Sequence, residues 1–208
     1  MMNIIDITNT NLSTEEVAKQ LLGLKLISET PKGITSGWIV ETEAYLGSID
    51  RAAHTYKYRK TPRVKAMYDQ AGTIYLYSMR GHILLNIVTK EVGNPEAVLI
   101  RGIQPDRGFE LMKKRRGQKG YNLTNGPGKL SQAMGITMAE YGRSITKPPL
   151  YIDFSIQRKP KTILTTPRIG IPNKKEWTKA PLRFIVEGNP YVSGRNKTID
   201  KTTYGWEL

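Results

Sequence analysis

One strand-forming run after another occupies this sequence. The longest, Gly33 to Tyr45, is rich in Ile, Val, Thr and Trp and carries two glutamates near its end. β-Branched and aromatic residues suit a pleated, half-buried surface. Runs of the same kind lie at Lys25 to Glu29, Thr73 to Ser78, His82 to Thr89, Ala97 to Gln104, Leu150 to Ser155, Ile163 to Ile171 and Leu182 to Gly188. Helix signals are fewer. Ser13 and Glu16 have capping-box spacing at the head of a helix over Leu12 to Gly23. Thr61 and Pro62 predict an N-cap and first-turn proline for a short helix closed by Gly72. A basic helix is predicted over Asp106 to Arg116, another from the Asn125-Gly-Pro-Gly128 turn to Met134, and a brief one at Thr137 to Glu140. Strands outnumber helices and several are consecutive. The expected fold is therefore mixed α/β, with a mostly antiparallel curved sheet and helices packed around it.

A chain of 208 residues is long enough for one substantial core and too short to require two. With no composition break or internal repeat, residues 1–208 are expected to form a single domain. No stretch has the continuous apolar length needed to span a bilayer, and Met1 to Thr14 lacks the basic-then-apolar pattern of a signal peptide. The absence of cysteine removes disulfides, thiolate zinc sites and a cysteine nucleophile, and fits a cytoplasmic setting. Charge points to a partner. Lys plus Arg total 32 against 18 acids, a net +14. Such an excess concentrates polyanions and is the footprint of a nucleic-acid binder, although some cationic proteins sit on anionic membranes instead. The bases are dispersed, with clusters at Lys57 to Lys65 and Lys113 to Lys119, rather than gathered in one tail.

Three segments could carry chemistry. Alternation along Ile39 to Tyr45 sends Glu41, Glu43 and Tyr45 to one strand face, with Asp50 and His54 in the loop beyond. Two carboxylates on an apolar strand are costly unless paired, used or simply solvated on an exposed face. Tyr75 and Tyr77 share a face of the next strand, either as sheet packing or as a platform for an unstacked base, and Met79 follows on that face. The Thr124-Asn-Gly-Pro-Gly-Lys-Leu130 turn offers free backbone N–H groups and Lys129 to a phosphate, without the spacing of a Walker A loop. No histidine–acid spacing argues for a metal.

Glu43-Ala-Tyr-Leu-Gly47, Ala52-Ala-His54, Thr61-Pro-Arg63, Gly72-Thr-Ile-Tyr-Leu-Tyr77, Val98-Leu-Ile-Arg101, Asn125-Gly-Pro-Gly-Lys-Leu130 and Thr166-Pro-Arg-Ile-Gly-Ile171 occur in that order. Together they resemble the alkyladenine (3-methyladenine) DNA glycosylase family, over about Ile5 to Gly194. The resemblance implies a repair enzyme that flips a damaged purine from double-stranded DNA and hydrolyses its N-glycosidic bond. It implies Glu43 as general base on the attacking water, with Arg101 near that water and the DNA backbone. Tyr45, His54 and Tyr77 would enclose the base, and Asn86 would form a pocket floor that rejects 2-amino purines. Arg63 and Lys129 would contact DNA. No metal or organic cofactor and a monomeric state are implied, with no Schiff-base lysine. In one respect the chain departs from the family. A tyrosine that usually follows the pocket tyrosine and wedges into the duplex is missing, and the stretch from Ser78 to Asn86 is one residue shorter. Met79 is then the expected wedge and Arg80 a phosphate ligand, or Arg80 takes the wedge role itself. Two rival functions use the same residues. In a metal-dependent nuclease, Glu41, Glu43 and Asp50 would hold a divalent ion. In a non-catalytic binding module the tyrosines would only stack and the lysines neutralise phosphate. Neither explains the ordered motifs.

Overall fold

The computed structural model describes residues 6–194 and 198–208, so Ile5 and residues 195–197 lie outside the described residues. Eight strands form one antiparallel sheet: β1 (Leu24–Thr30), β2 (Gly33–Tyr45), β3 (Ile74–Met79), β4 (His82–Val88), β5 (Ala97–Arg107), β6 (Leu150–Gln157), β7 (Ile163–Thr166) and β8 (Arg183–Val186). The order is β3-β4-β5-β2-β1-β6, with β8 joining β2 and β7 beyond it, and the sheet is open. This is the mixed α/β, antiparallel fold read from the sequence.

β2 organises the site because its two halves have different neighbours. Residues Gly33 to Trp38 pair with β1, whereas Glu41 to Glu43 pair with β8. β5 runs along the opposite edge of both halves. Among the described residues three α-helices cover the sheet: α1 (Thr14–Gln20), α2 (Phe109–Arg116) and α3 (Pro127–Met134). The capping box of α1 forms as expected, with Glu16 N donating to Ser13 Oγ (3.2 Å) and Ser13 N to Glu16 Oε2 (2.7 Å). Val17 and Ala18 of α1, Leu21 at its C-cap, and Leu130, Ala133 and Met134 of α3 enter the core with Ile39, Val40, Ile100 and Ile103 of the sheet. Burial of this apolar surface is the main source of stability. Among the described residues, no helix is long and apolar enough to cross a membrane.

Three boundaries differ from expectation, each for a physical reason. The segment after Thr61 is a 3-10 helix, Pro62–Tyr68, ended by Asp69 rather than Gly72, and the Thr61 side chain makes no cap. α2 begins at Phe109, because β5 continues to Arg107. Asp106 is held on the sheet by Lys25 Nζ (3.0 Å), Ser36 Oγ (3.1 Å) and Trp38 Nε1 (3.2 Å). β7 stops at Thr166 instead of reaching Ile171. Pro167 has no N–H for a ladder, and the chain turns inward to deliver Arg168 and Ile169 to the site.

Candidate active site

Alternation along β2 puts Glu41, Glu43 and Tyr45 on one side of the sheet, as the sequence predicts, but that side is not solvated. Both glutamates are 0% exposed. The cation between them comes from an irregularity in β5. Glu41 pairs with Gly102 and Thr42 with Ile100, which leaves Arg101 as the extra residue of a bulge. Bulges re-aim side chains and recur next to active sites. Arg101 Nε donates to Glu41 Oε1 (2.9 Å), and its Nη1 lies 3.3 Å from Glu43 Oε1. Gly102 is needed there, since a Cβ would come within 2.8 Å of Tyr191 O and 3.4 Å of Glu41 Oε2.

The two carboxylates are satisfied unequally. Glu41 also accepts from Arg183 Nε (2.6 Å), Ser193 N (2.6 Å) and Ser193 Oγ (2.7 Å). Burial opposes its ionisation, but Arg101, Arg183 and the Ser193 amide outweigh that cost, so its proton affinity falls below the ordinary glutamate value. Glu43 accepts from the Ile169 amide (2.8 Å) and the Tyr45 hydroxyl (2.9 Å). For Glu43 burial wins over Arg101 and these two hydrogen bonds, and its proton affinity rises.

Next to Glu43 lies a cavity of about 350 Å³ whose walls are largely apolar, with four aromatic rings among them. Tyr45, His54, Tyr75, Tyr77, Met79, Asn86 and Arg101 line it, together with Ile169, Gly170 and Ile171. His54 stacks on Tyr77 with ring centroids 3.9 Å apart, and its Nδ1 is hydrogen-bonded to the Tyr75 hydroxyl (2.9 Å). Desolvation at the wall, with the charges of Arg63 and Arg59, lowers the proton affinity of His54, which keeps the ring neutral at pH 7. Asn86 spends both Nδ2 hydrogens on the carbonyls of Tyr75 and Leu84 (3.2 Å each). Glu43 itself is not on the cavity wall. It sits directly behind Tyr45, Arg101 and Ile169, which are.

The remaining predicted residues lie around this cavity or farther out. Arg63 is exposed; its guanidinium lies over Tyr77 (4.7 Å) and donates to Ser78 O (2.8 Å). Met79 is half exposed at the tip of the β3–β4 hairpin. Met79 pairs with His82, leaving a two-residue turn in which Arg80 (φ 51) and Gly81 (φ 79) both take left-handed conformations. Such a tight turn demands positive φ at both positions, which Gly81 meets freely. Lys129, in the first turn of α3, contacts Asn125 Oδ1 (2.8 Å). Asp50 is not beside the glutamates' oxygens: a buried pair with Arg168 occupies it. Among the described residues no three acidic or histidine side chains converge in a way that could hold a metal. The donor set required by the nuclease reading is therefore not assembled.

Sequence reasoning gave no role to Arg168, Arg183 or Ser193, nor to the Ile169 amide. The Thr166-Pro-Arg-Ile-Gly-Ile171 motif was the only signal for two of these, because it ends a strand-like run with a proline and an arginine.

The sequence model of methylpurine-DNA glycosylases matches residues 8–190. A protein of Enterococcus faecalis named "Putative 3-methyladenine DNA glycosylase" is 50% identical over 100% of this chain and 91% of its own length. One of the same name from Lactiplantibacillus plantarum is 49% identical over 99% of both chains. A third, from Staphylococcus carnosus, is 50% identical over 90% of this chain and 92% of its own. The open antiparallel sheet with an aromatic cavity and buried carboxylate is thus that of a DNA-binding glycosylase of DNA repair. The chain belongs to the methylpurine-DNA glycosylase family.

Proposed function

We propose that this protein turns a damaged purine out of duplex DNA into the cavity between Tyr45 and the His54–Tyr77 wall, then hydrolyses its N-glycosidic bond with water activated by Glu43. The observation that carries this reading is a buried carboxylate of raised proton affinity immediately behind the wall of an aromatic cavity.

A stacked base presents no reachable glycosidic bond, and damaged or mispaired bases cost least to extrude. Alkylated purines are electron-poor or cationic, so tyrosine faces attract them, and a neutral His54 adds no repulsion. Asn86 at the cavity floor excludes purines bearing a 2-amino group. Bond cleavage passes through an oxocarbenium-like state that an adjacent carboxylate stabilises. Glu43 takes the proton from water as the nucleophilic oxygen adds to the sugar C1′. The C1′–N bond breaks and its electron pair stays with the base, which leaves neutral if it was a cationic alkylated purine and takes up a solvent proton otherwise, leaving an abasic site. Arg101 orients the carboxylate and the water. Glu43 lies directly behind Tyr45, Arg101 and Ile169, so the water it activates meets C1′ at the cavity side of those residues. Met79 fills the gap left in the stack, and Arg80, Arg63 and Lys129 meet phosphates. Water is the only nucleophile, so the strand stays intact. The enzyme acts as a monomer in the cytoplasm, without cofactor.

The test is release of free base from duplexes carrying one hypoxanthine or ethenoadenine, with EDTA present. Wild type should release it, and Glu43→Gln should be slower by about 10²- to 10⁴-fold. Silence of wild type on these duplexes and on methylated DNA would overturn the reading. Met79→Ala should weaken binding to lesion-bearing duplex several-fold more than binding to undamaged duplex; unchanged binding would remove Met79 from the wedge role.

A further inference from the structure

A second buried ion pair, Asp50–Arg168, lies outside the chemistry just described yet adjoins Tyr45, the loop that carries His54 and the segment that supplies the Ile169 amide. Arg168 Nη2 donates to Asp50 Oδ1 (3.0 Å), and Nη1 donates to Asp50 Oδ2 and to the Ala44 carbonyl (3.0 Å), which lies between Glu43 and Tyr45 in sequence. The guanidinium packs over the Tyr45 ring, 4.6 Å from its centroid. The next residue supplies the amide that binds Glu43 Oε1 (2.8 Å) and, with Gly170 and Ile171, forms one side of the cavity. Asp50 also accepts from Leu46 N (3.2 Å) and Ala52 N (2.9 Å), which fixes the loop that carries His54 to the opposite wall.

We propose that the Asp50–Arg168 pair is the positioning element of the site: it holds the Tyr45 ring, the His54 loop and the Ile169 amide in register around Glu43. Stability alone does not account for such a pair, because well-packed apolar residues of similar volume often serve as well or better. Moreover, Arg168 Nε is buried with no hydrogen-bond partner among the described residues, a cost that apolar packing would have avoided. What the arginine uniquely provides is a planar fork that binds the carboxylate with two nitrogens while its face covers an aromatic ring. Lysine offers neither. Supporting contacts of this kind act by holding catalytic groups in productive geometry, where a misplacement of about 1 Å can cost about a hundredfold in rate.

The inference rests on the glycosylase reading, and the experiment separates the two. Single-turnover base release, affinity for the lesion duplex and the acid limb of the pH–rate profile would be compared in wild type, Arg168→Lys and Asp50→Asn. Arg168→Lys should bind the duplex within a few-fold of wild type but react about a hundredfold more slowly. Its acid limb should move to higher pH, because Glu43 would lose the Ile169 N–H and the Tyr45 hydroxyl that favour its charged form, with Arg101 and Glu41 unchanged around it. Asp50→Asn should do the same to a smaller extent. A variant that only melts earlier, with rate and acid limb unmoved below its melting temperature, would overturn the positioning role. Silence of wild type itself would sink the glycosylase reading and this inference with it. If neither variant folds, the wild-type Ile169 amide resonance decides. It should titrate with the midpoint of the acid limb, and a flat titration would overturn the proposal.

Discussion

Glu41 and Glu43 stand two residues apart on one strand, both fully buried and both in contact with Arg101, yet their proton affinities move in opposite directions. The difference lies in what else reaches them. Glu41 has two arginines and both polar groups of Ser193. Glu43 has one longer arginine contact, one amide and one hydroxyl. Two carboxylates whose surroundings push them apart are a common arrangement where one serves structure and the other serves chemistry. Here the fully saturated carboxylate anchors the sheet end, and the under-saturated one is the candidate base.

The contrast can be broken most decisively by comparing Glu41→Gln with Glu43→Gln in urea unfolding. Glu41→Gln removes the carboxylate charge that pairs the buried Arg183 and is shared with Arg101, and should cost about 3–5 kcal/mol, a large share of a typical domain's stability. Glu43→Gln replaces a carboxylate that burial already disfavours, so its stability should stay within about 1 kcal/mol of wild type or rise. Equal losses would mean that the two glutamates have the same role. pH sharpens the comparison. Glu41, with lowered proton affinity, contributes stability above the ordinary value of 4.5 that is lost as pH falls through its folded value. Glu43, with raised affinity, works the other way: its ionisation costs stability as pH rises from 4.5 through its higher folded value. The penalty of Glu41→Gln should therefore shrink in acid, while any gain from Glu43→Gln should appear only above that range. The same raised affinity should place the acid limb of base release above pH 4.5, and a limb at or below that value would contradict it. The smallest effect is expected for Ser193→Ala, which removes one hydroxyl from Glu41 and should cost about 1 kcal/mol without moving the acid limb.

Much of this was legible in the sequence, because local rules decide it. Residue type and alternation located β2 and put Glu41, Glu43 and Tyr45 on one face, and the Ser13–Glu16 spacing located α1. Two residues of the ordered motifs, His54 and Tyr77, line the cavity, as does Asn86, which the resemblance alone had singled out. What stayed hidden depends on partners far along the chain. Arg101 aims at the glutamates only because of a bulge, and a bulge is a property of two strands in register rather than of one. Arg168 meets Asp50 across 118 residues, so no window of sequence contains both. Alternation correctly favoured a strand through Ile163–Thr166 but could not tell where the chain would leave the sheet. It also could not distinguish solvated glutamates from buried ones, since burial is decided by what covers the face.

The pairing of early acids with late bases has a bearing on how the protein is made. Glu41, Glu43 and Asp50 leave the ribosome long before Arg168, Arg183 and Ser193, on which their burial depends. A nascent chain lacking its last strand has no means of sealing these charges from water, so the first part of the sheet cannot close over them. The three carboxylates therefore reach their buried, paired state only after residues 168–193 have been made.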